Sequence, residues 1–329
     1  MESTATRSST RTSFDPKRDR LLEEIIQGLT DFPKTLPSKL FYDRHGSELF
    51  DRICELEEYY PTRTETRILH ENIAEIVELA SAQHALLEFG SGSSLKTRIL
   101  LDQLPGLRVY IPVDISVDHL MQTVRNLSAQ YSHLDFKPTP VDYTDSDTLS
   151  STHWDQNQIL AYFSGSSIGN FHSDQAIEFL TNVAALIGTE GSLLIGVDLQ
   201  KDVDILNRAY NDSQGVTAAF NLNILAHVNR EFGGDFAIDC FEHYAYYNSD
   251  AGRIEMHLIS KADQICWLAG NQIEIAAGEM IMTEVSYKYT LDGFAALAMQ
   301  AGLEVRKVWT DTDNLFSLQY LALQPHGGE

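Results

Sequence analysis

Leu86-Leu87-Glu88-Phe89-Gly90-Ser91-Gly92-Ser93-Ser94 decides the fold. A short apolar strand runs into an acidic residue and then a glycine turn, and Leu95 to Leu104 follows with helical character. A second strand, Leu107 to Val113, ends in Asp114. Strand, glycine turn, helix and strand make half of a nucleotide-binding α/β unit.

Working outward, Val117 to Tyr131 reads as a helix, and Asp135 to Val141 as a third strand ending at Asp142-Tyr143. Ile159 to Phe163 is a buried strand that enters the turn Ser164-Gly165-Ser166-Ser167-Ile168-Gly169-Asn170. Asp174 to Ile187 is a helix and Ser192 to Asp198 a fifth strand. This alternation predicts a mostly parallel sheet covered on both faces. Upstream, Asp19 to Leu29, a segment around Ser47 to Leu56, and Thr64 to Ala80 carry helical apolar spacing. Between the last two, Glu57 to Arg63 reads as a stiff turn at Tyr59-Tyr60-Pro61. Downstream, Asp202 to Tyr210 and Val216 to Phe232 are helical, and Asp235 to Ser286 is strand-like. The helix Leu291 to Ala301 and strands at Val305 to Trp309 and Leu315 to Leu323 complete the sheet. The expected organisation is a Rossmann-like α/β sheet over 63–200 and 288–329, with an α+β block from 14–62 and 201–287. Met1 to Ser13, rich in Ser, Thr and Arg without an apolar face, reads as a disordered tail rather than a transit peptide.

The 329 residues carry a formal net charge of −23, which argues against nucleic acid and anionic membranes as partners and leaves small molecules. No apolar run approaches the roughly 20 residues of a membrane span. Cys54, Cys240 and Cys266 are scattered and form no C-x-x-C, so a reducing cytoplasm is expected. The eleven histidines include no H-x-H or H-x-x-x-H spacing, and no metal is expected.

The turn fits two cofactors unequally. A dinucleotide fingerprint needs a third glycine for close helix packing, and Leu95 stands there. S-adenosylmethionine has no phosphate to cradle and carries a positive sulfonium. Glu88, Asp114 and Asp142 close three successive strands. The last two are placed for ribose hydroxyls and an adenine amine, while Glu88 and Gly90 to Gly92 let the backbone approach the methionine part. Aspartate also follows strands for turn reasons, but the series of three favours the methyl donor. Elsewhere, Met282, Glu284 and Ser286 alternate and so share one strand face. A glutamate among apolar neighbours needs a partner if buried.

Longer motifs carry a resemblance. Gly90 to Arg98, Gly165 to Asn170, Asp198 to Asp202, Arg208 to Asp212, Gly215 to Asn221, Thr283 to Ser286, Phe41-Tyr42-Asp43 and Glu58 to Arg63 together resemble the histidine Nα-methyltransferases of ergothioneine biosynthesis. Ile115 to Leu120 and Phe171 to Ser173 depart from the family form, outside the substrate-reading residues. The resemblance implies a class I methyltransferase fold and three methyl transfers from S-adenosylmethionine to the α-amine of L-histidine, giving hercynine; separately, a monomer is expected. The resemblance also implies cofactor contacts at Tyr42, Glu88, Gly90, Ser91, Gly92, Lys96, Asp114, Asp142, Tyr143 and Gly165. Tyr59, Asn170 and Tyr210 would hold the substrate carboxylate as neutral donors. Glu284, Ser286, Thr217 (through water) and Met256 would take the imidazole, and Tyr42 would lie by the amine as the catalytic hydroxyl. The alternatives are methylation of another amino acid, such as tryptophan, and a non-catalytic cofactor-binding protein. Glu284 with Met256 favours imidazole over indole.

Overall fold

The computed structural model describes residues 16–90, 92, 95–145 and 158–324; the expected tail and Ser91 lie outside the described residues. In chain order come α1 (Pro16–Thr30), β1 (Lys34–Thr35), α2 (Arg44–Glu55), α3 (Tyr60–Leu79), β2 (Ala85–Phe89), α4 (Leu95–Gln103), β3 (Val109–Val113) and α5 (Val117–Ser128). Then follow β4 (Asp135–Phe136), β5 (Ile159–Phe163), α6 (Ser173–Ile187), β6 (Ser192–Asp198), α7 (Val203–Tyr210) and α8 (Val216–Phe232). Five strands, β7 (Phe241–Asn248), β8 (Arg253–Ser260), β9 (Gln264–Leu268), β10 (Asn271–Ile275) and β11 (Met280–Tyr287), precede α9 (Leu291–Gln300), β12 (Leu303–Thr310) and β13 (Phe316–Leu323).

β2 lies inside a seven-stranded sheet of order β12-β13-β6-β5-β2-β3-β4. The strands from β6 to β4 are parallel, and β13 runs antiparallel between β6 and β12. Successive strands leave β2 first towards β4 and then, from β5 on, in the other direction. The C-terminal ends of β2 and β5 therefore frame a topological switch point, where open α/β sheets bind ligands. Both faces are covered, as the continuous apolar strands require: Leu87, Phe89 and Phe163 pack with α6 and α9, and Leu86, Tyr110 and Tyr162 with α3 and α4.

Three boundaries differ from expectation. The third strand is only Asp135–Phe136, with one further bridge between Val113 and Thr139, because Pro138 and Pro140 have no N–H to donate to the ladder. The turn expected at Tyr59-Tyr60-Pro61 is the start of α3, since proline is accommodated in a first helical turn. The helix expected around Ser47 begins at Arg44, capped by Asp43, which accepts from Gly46 N at 2.7 Å.

A second sheet, β1-β11-β8-β7, packs on α1, α2, α7 and α8 around Ile25, Leu29, Leu49, Phe220, Ile224 and Leu258. It is tied to the first where β11 ends. Tyr289 N donates to Asp198 O (3.0 Å) and Gln200 N to Tyr289 O (2.9 Å). The short 3-10 helix Ser167–Asn170 fits under the same crossing so closely that a Cβ on Gly169 would lie 2.7 Å from Tyr287 O. Backbone cannot move aside as a flexible side chain can. Gly169→Ala is therefore expected to lower stability by about 1–3 kcal/mol in urea unfolding; an unchanged midpoint would show the crossing to be loose.

Candidate active site

The glycine turn after β2 needs glycine. Gly90 has φ +72° and Gly92 φ +41°, a region side chains rarely adopt. Gly90 N donates to Val113 O at 2.8 Å, which fixes the turn to the end of β3 and so to Asp114. Asp114 Oδ1 accepts from Ser116 N at 2.9 Å. Asp142 accepts from Thr144 and pairs with Lys39 at 3.7 Å. Tyr143 leans over the turn, its hydroxyl 3.4 Å from where a Cβ on Gly90 would be, and its ring meets Phe89 and Phe163 edge-on. The charges of Asp114 and Asp142 both act on the Tyr143 phenol that leans over the turn, so two carboxylates gather at the glycine turn, a set that suits a cationic, phosphate-free nucleoside.

Two expected cofactor residues sit differently. Glu88 is buried beneath the turn, where its carboxylate accepts from Thr97 of α4 and Tyr110 of β3. It fastens the helix start and faces the layer below rather than the crevice. Burial raises its carboxyl to about 7 against the pull of those hydrogen bonds. Lys96 pairs with Glu65 at 2.5 Å, and Glu65 also accepts from Gly165 N (2.8 Å) and Tyr162 Oη (3.3 Å). Lys96 thus lies beside Gly165 through a carboxylate that sequence reasoning missed. The missed signal is Glu65 standing on the same helical face as Ile68, Leu69 and Ile76.

The remaining predicted residues meet in one pocket at the mouth of the sheet. Tyr42 and Tyr59 come from the N-terminal segment, Gly165 and Asn170 from the loop after β5. Tyr210 and Thr217 come from α7 and α8, and Met256, Glu284 and Ser286 from β8 and β11. α7 is set by Asp202, which caps it by accepting from Asp204 N (2.9 Å) and Ile205 N (3.2 Å). In β11 the simple alternation fails. A bulge between Met282 and Glu284 pairs Met282 with His257 but Glu284 with Met256. Directly opposed residues share a face, so Glu284, Ser286 and Met256 face the pocket and Met282 does not. The bulge is held by Thr283, which donates to Asn221 Oδ1 (2.6 Å) and Met256 O (3.1 Å).

Glu284 makes no hydrogen bond among the described residues, is half-buried and lines the pocket. Burial raises its carboxyl to about 7, less than it otherwise would because of the charge on Lys288. Thr217 Oγ1 is buried and also lacks a well-formed partner. Burial, followed by the field of Glu284, holds the Tyr42 phenol well above its ordinary range, so it stays neutral. Tyr59 is held up by burial and Tyr210, and Tyr210 by burial against the opposing charge of Lys288.

The pocket is not lined by neutral donors alone. Lys288, buried, reaches Asp198 Oδ2 (2.8 Å), Ser286 Oγ (2.8 Å) and Tyr210 Oη (3.2 Å). Asp198, at the end of β6, also accepts from Lys201 Nζ (2.6 Å) and Tyr60 Oη (2.8 Å). Extending the alternation of Glu284 and Ser286 by one step places Lys288 on their face, a signal the sequence holds.

The sheet order, the glycine crevice and the adjoining pocket define an S-adenosylmethionine-dependent methyltransferase of class I. The chain belongs to the family of histidine-specific, S-adenosylmethionine-dependent methyltransferases, whose model matches residues 21–323. It is 42% identical over 309 residues to a histidine N-alpha-methyltransferase of Mycolicibacterium smegmatis, covering 92% of this chain and 95% of that protein. A Mycobacterium tuberculosis histidine N-alpha-methyltransferase is 40% identical over 92% of this chain and 94% of its own length. Ergothioneine biosynthesis protein 1 of Neurospora crassa is 32% identical over 89% of this chain, which spans 33% of that longer protein. Among the described residues no group of three or more His, Cys, Asp or Glu is placed to hold a metal, and no helix is long and apolar enough to cross a membrane.

With the cofactor class fixed, Asp114→Ala is expected to weaken S-adenosylhomocysteine binding about tenfold, the scale of a charge-assisted hydrogen bond. Calorimetric titration checks this, and unchanged affinity would remove Asp114 from the cofactor site.

Proposed function

We propose that the protein methylates the α-amine of L-histidine three times in succession, giving hercynine, the first step of ergothioneine biosynthesis. The observation that carries this reading is Glu284: a desolvated carboxylate, without a hydrogen bond among the described residues, lining a pocket at the mouth of the sheet. An imidazole N–H satisfies it, and a site built to hydrogen-bond a polar group rejects ligands that lack one. Ser286 and Thr217 supply the other polar contacts to the ring, and Met256 forms a wall. Tyr59, Asn170 and Tyr210 hold the carboxylate. The residues for S-adenosylmethionine are Gly90, Ser91, Gly92, Lys96, Asp114, Asp142, Tyr143 and Gly165, with Tyr42 between the two ligands. We take 14–62 and 201–287 as the substrate unit and 63–200 with 288–329 as the cofactor unit, working on a free amino acid as a cytoplasmic monomer, without nucleic acid, membrane or metal.

When bound, S-adenosylmethionine supplies a methyl group on a sulfonium, already a good electrophile. The chain's task is then to present a neutral amine in line and exclude water. The α-amine of a free amino acid is more basic than a peptide N-terminus and largely protonated near pH 7, so it must shed a proton before transfer. Because burial keeps Tyr42 protonated, its hydroxyl orients the amine and passes its proton on, without acting as a phenolate. Tyr42→Phe is expected to lower kcat about tenfold or more and to shift its pH profile in steady-state assays; an unchanged kcat and profile would remove that role.

The activity itself is tested with purified protein, S-adenosylmethionine and a panel of amino acids, reading methylated products by mass. Singly, doubly and triply methylated histidine is expected, and no product from any amino acid would refute the reading. Glu284 adds a pH signature. Its ionised form accepts the ring N–H, and the raised pKa of about 7 means that this acceptor is lost as pH falls through about 7. The KM for histidine should rise across that window, and Glu284→Gln should remove the component centred there. The same substitution should raise the KM for histidine about tenfold while moving that for S-adenosylmethionine about twofold or less. Equal rises would place Glu284 outside ring recognition.

A further inference from the structure

Lys288 is buried in the pocket, yet the roles above give it no task. Its ammonium has three protons and three acceptors in reach: Asp198 Oδ2 at 2.8 Å, Ser286 Oγ at 2.8 Å and Tyr210 Oη at 3.2 Å. Its donors are all used, so it does not bind a ligand directly. The effect falls on the two hydroxyls. Ser286 Oγ accepts from Lys288 and also from Tyr210 Oη at 3.0 Å, which fills both of its lone pairs and leaves its own proton to donate elsewhere. Tyr210 Oη accepts from Lys288, so it can act only as a donor, and its one proton rests on Ser286 Oγ until a stronger acceptor takes it; the ammonium lies over the Tyr210 ring at 5.1 Å.

The surrounding charges add to this. Asp198 serves two lysines, Lys288 and Lys201, and the three groups together carry one excess positive charge. Burial works against Lys288, but the Asp198 carboxylate carries it above the ordinary lysine range, so it stays charged. An amino-acid carboxylate entering a pocket that already contains Glu284 needs such a counter-charge.

We propose that Lys288 is a positioning residue for the substrate carboxylate: it fills the acceptor side of Tyr210 Oη, so that Tyr210 turns its proton from Ser286 to the entering carboxylate, and it delivers the positive charge of the Asp198 cluster through Tyr210. The proposal rests on the reading of the pocket as an amino-acid site with Tyr210 on the carboxylate. It also gives charge to a clamp whose other members are neutral.

The test uses L-histidine and L-histidinol, which replaces the carboxylate with an alcohol, titrated into enzyme loaded with S-adenosylhomocysteine. Wild type is expected to prefer histidine by more than about tenfold, and Lys288→Met to bring that preference within about twofold while S-adenosylhomocysteine binding is unchanged, the scale of a hydrogen bond to a charged group. A merely structural role would weaken both ligands alike and keep the ratio, which would overturn the proposal. A wild type without preference for histidine would overturn the carboxylate reading along with it. Should Lys288→Met fail to fold, wild type labelled with 15N-lysine decides. The Lys288 ammonium signal, assigned by its loss in Lys288→Arg, should shift with histidine and not with histidinol; a signal that histidine leaves in place overturns the proposal.

Discussion

The Asp198 carboxylate is buried at the C-terminal end of β6 and bonded to Tyr60 at the start of α3, to Lys201 and to Lys288 beyond β11. These partners come from the N-terminal segment, the loop out of the sheet and the strand that returns to it. One aspartate therefore joins the seven-stranded sheet to three of the segments that close over its mouth. Burial alone would raise its pKa, but Lys288 and Lys201 bring it below the ordinary carboxylate range, so it is ionised and must stay paired. Removing a partner from such a cluster typically costs about 3–5 kcal/mol, because a buried charge is left uncompensated. The pocket exists where this cluster forms, and its polarity is inherited from it.

Around that anchor the labour is divided. The switch point between β2 and β5 is a general device, a glycine turn and strand-end carboxylates arranged for a nucleoside. In the proposed reading, selectivity comes from β11, where the bulge at Met282 and Glu284 turns a carboxylate into the pocket opposite Met256. Glu65 couples the two, since it holds Lys96 beside the glycine helix and Gly165 of the loop that leads to Asn170. A substrate that orders one side thereby meets a framework already tied to the other.

Much of this is legible in the sequence because it is local. The strand–glycine–helix run, the missing third glycine at Leu95 and the acidic residues after successive strands lie within short windows, and together they fix the sheet and its cofactor. Helices such as α7 and α8 show their apolar spacing directly. The family resemblance, not periodicity, gathers Tyr59, Asn170, Tyr210 and Glu284, which stand on separate elements. What local reading loses is tertiary. Asp198 meets Tyr60 and Lys288 across 138 and 90 residues, and nothing near Asp198 announces either partner. Glu88 looks like a crevice residue until Thr97 and Tyr110 are seen to claim it. The bulge in β11 moves Met282 to the other face, because an inserted residue breaks the period of two on which alternation depends. Pro138 and Pro140 were a readable warning that the third strand would be short.

The central claim is that the pocket at the mouth of the sheet takes one polar amino acid beside the nucleoside. Calorimetric titration of L-histidine and L-tryptophan into protein saturated with S-adenosylhomocysteine tests it most directly. Saturable one-to-one binding of histidine with far weaker binding of tryptophan is the predicted result. Tryptophan binding as tightly as histidine, or no histidine binding at all, would contradict it.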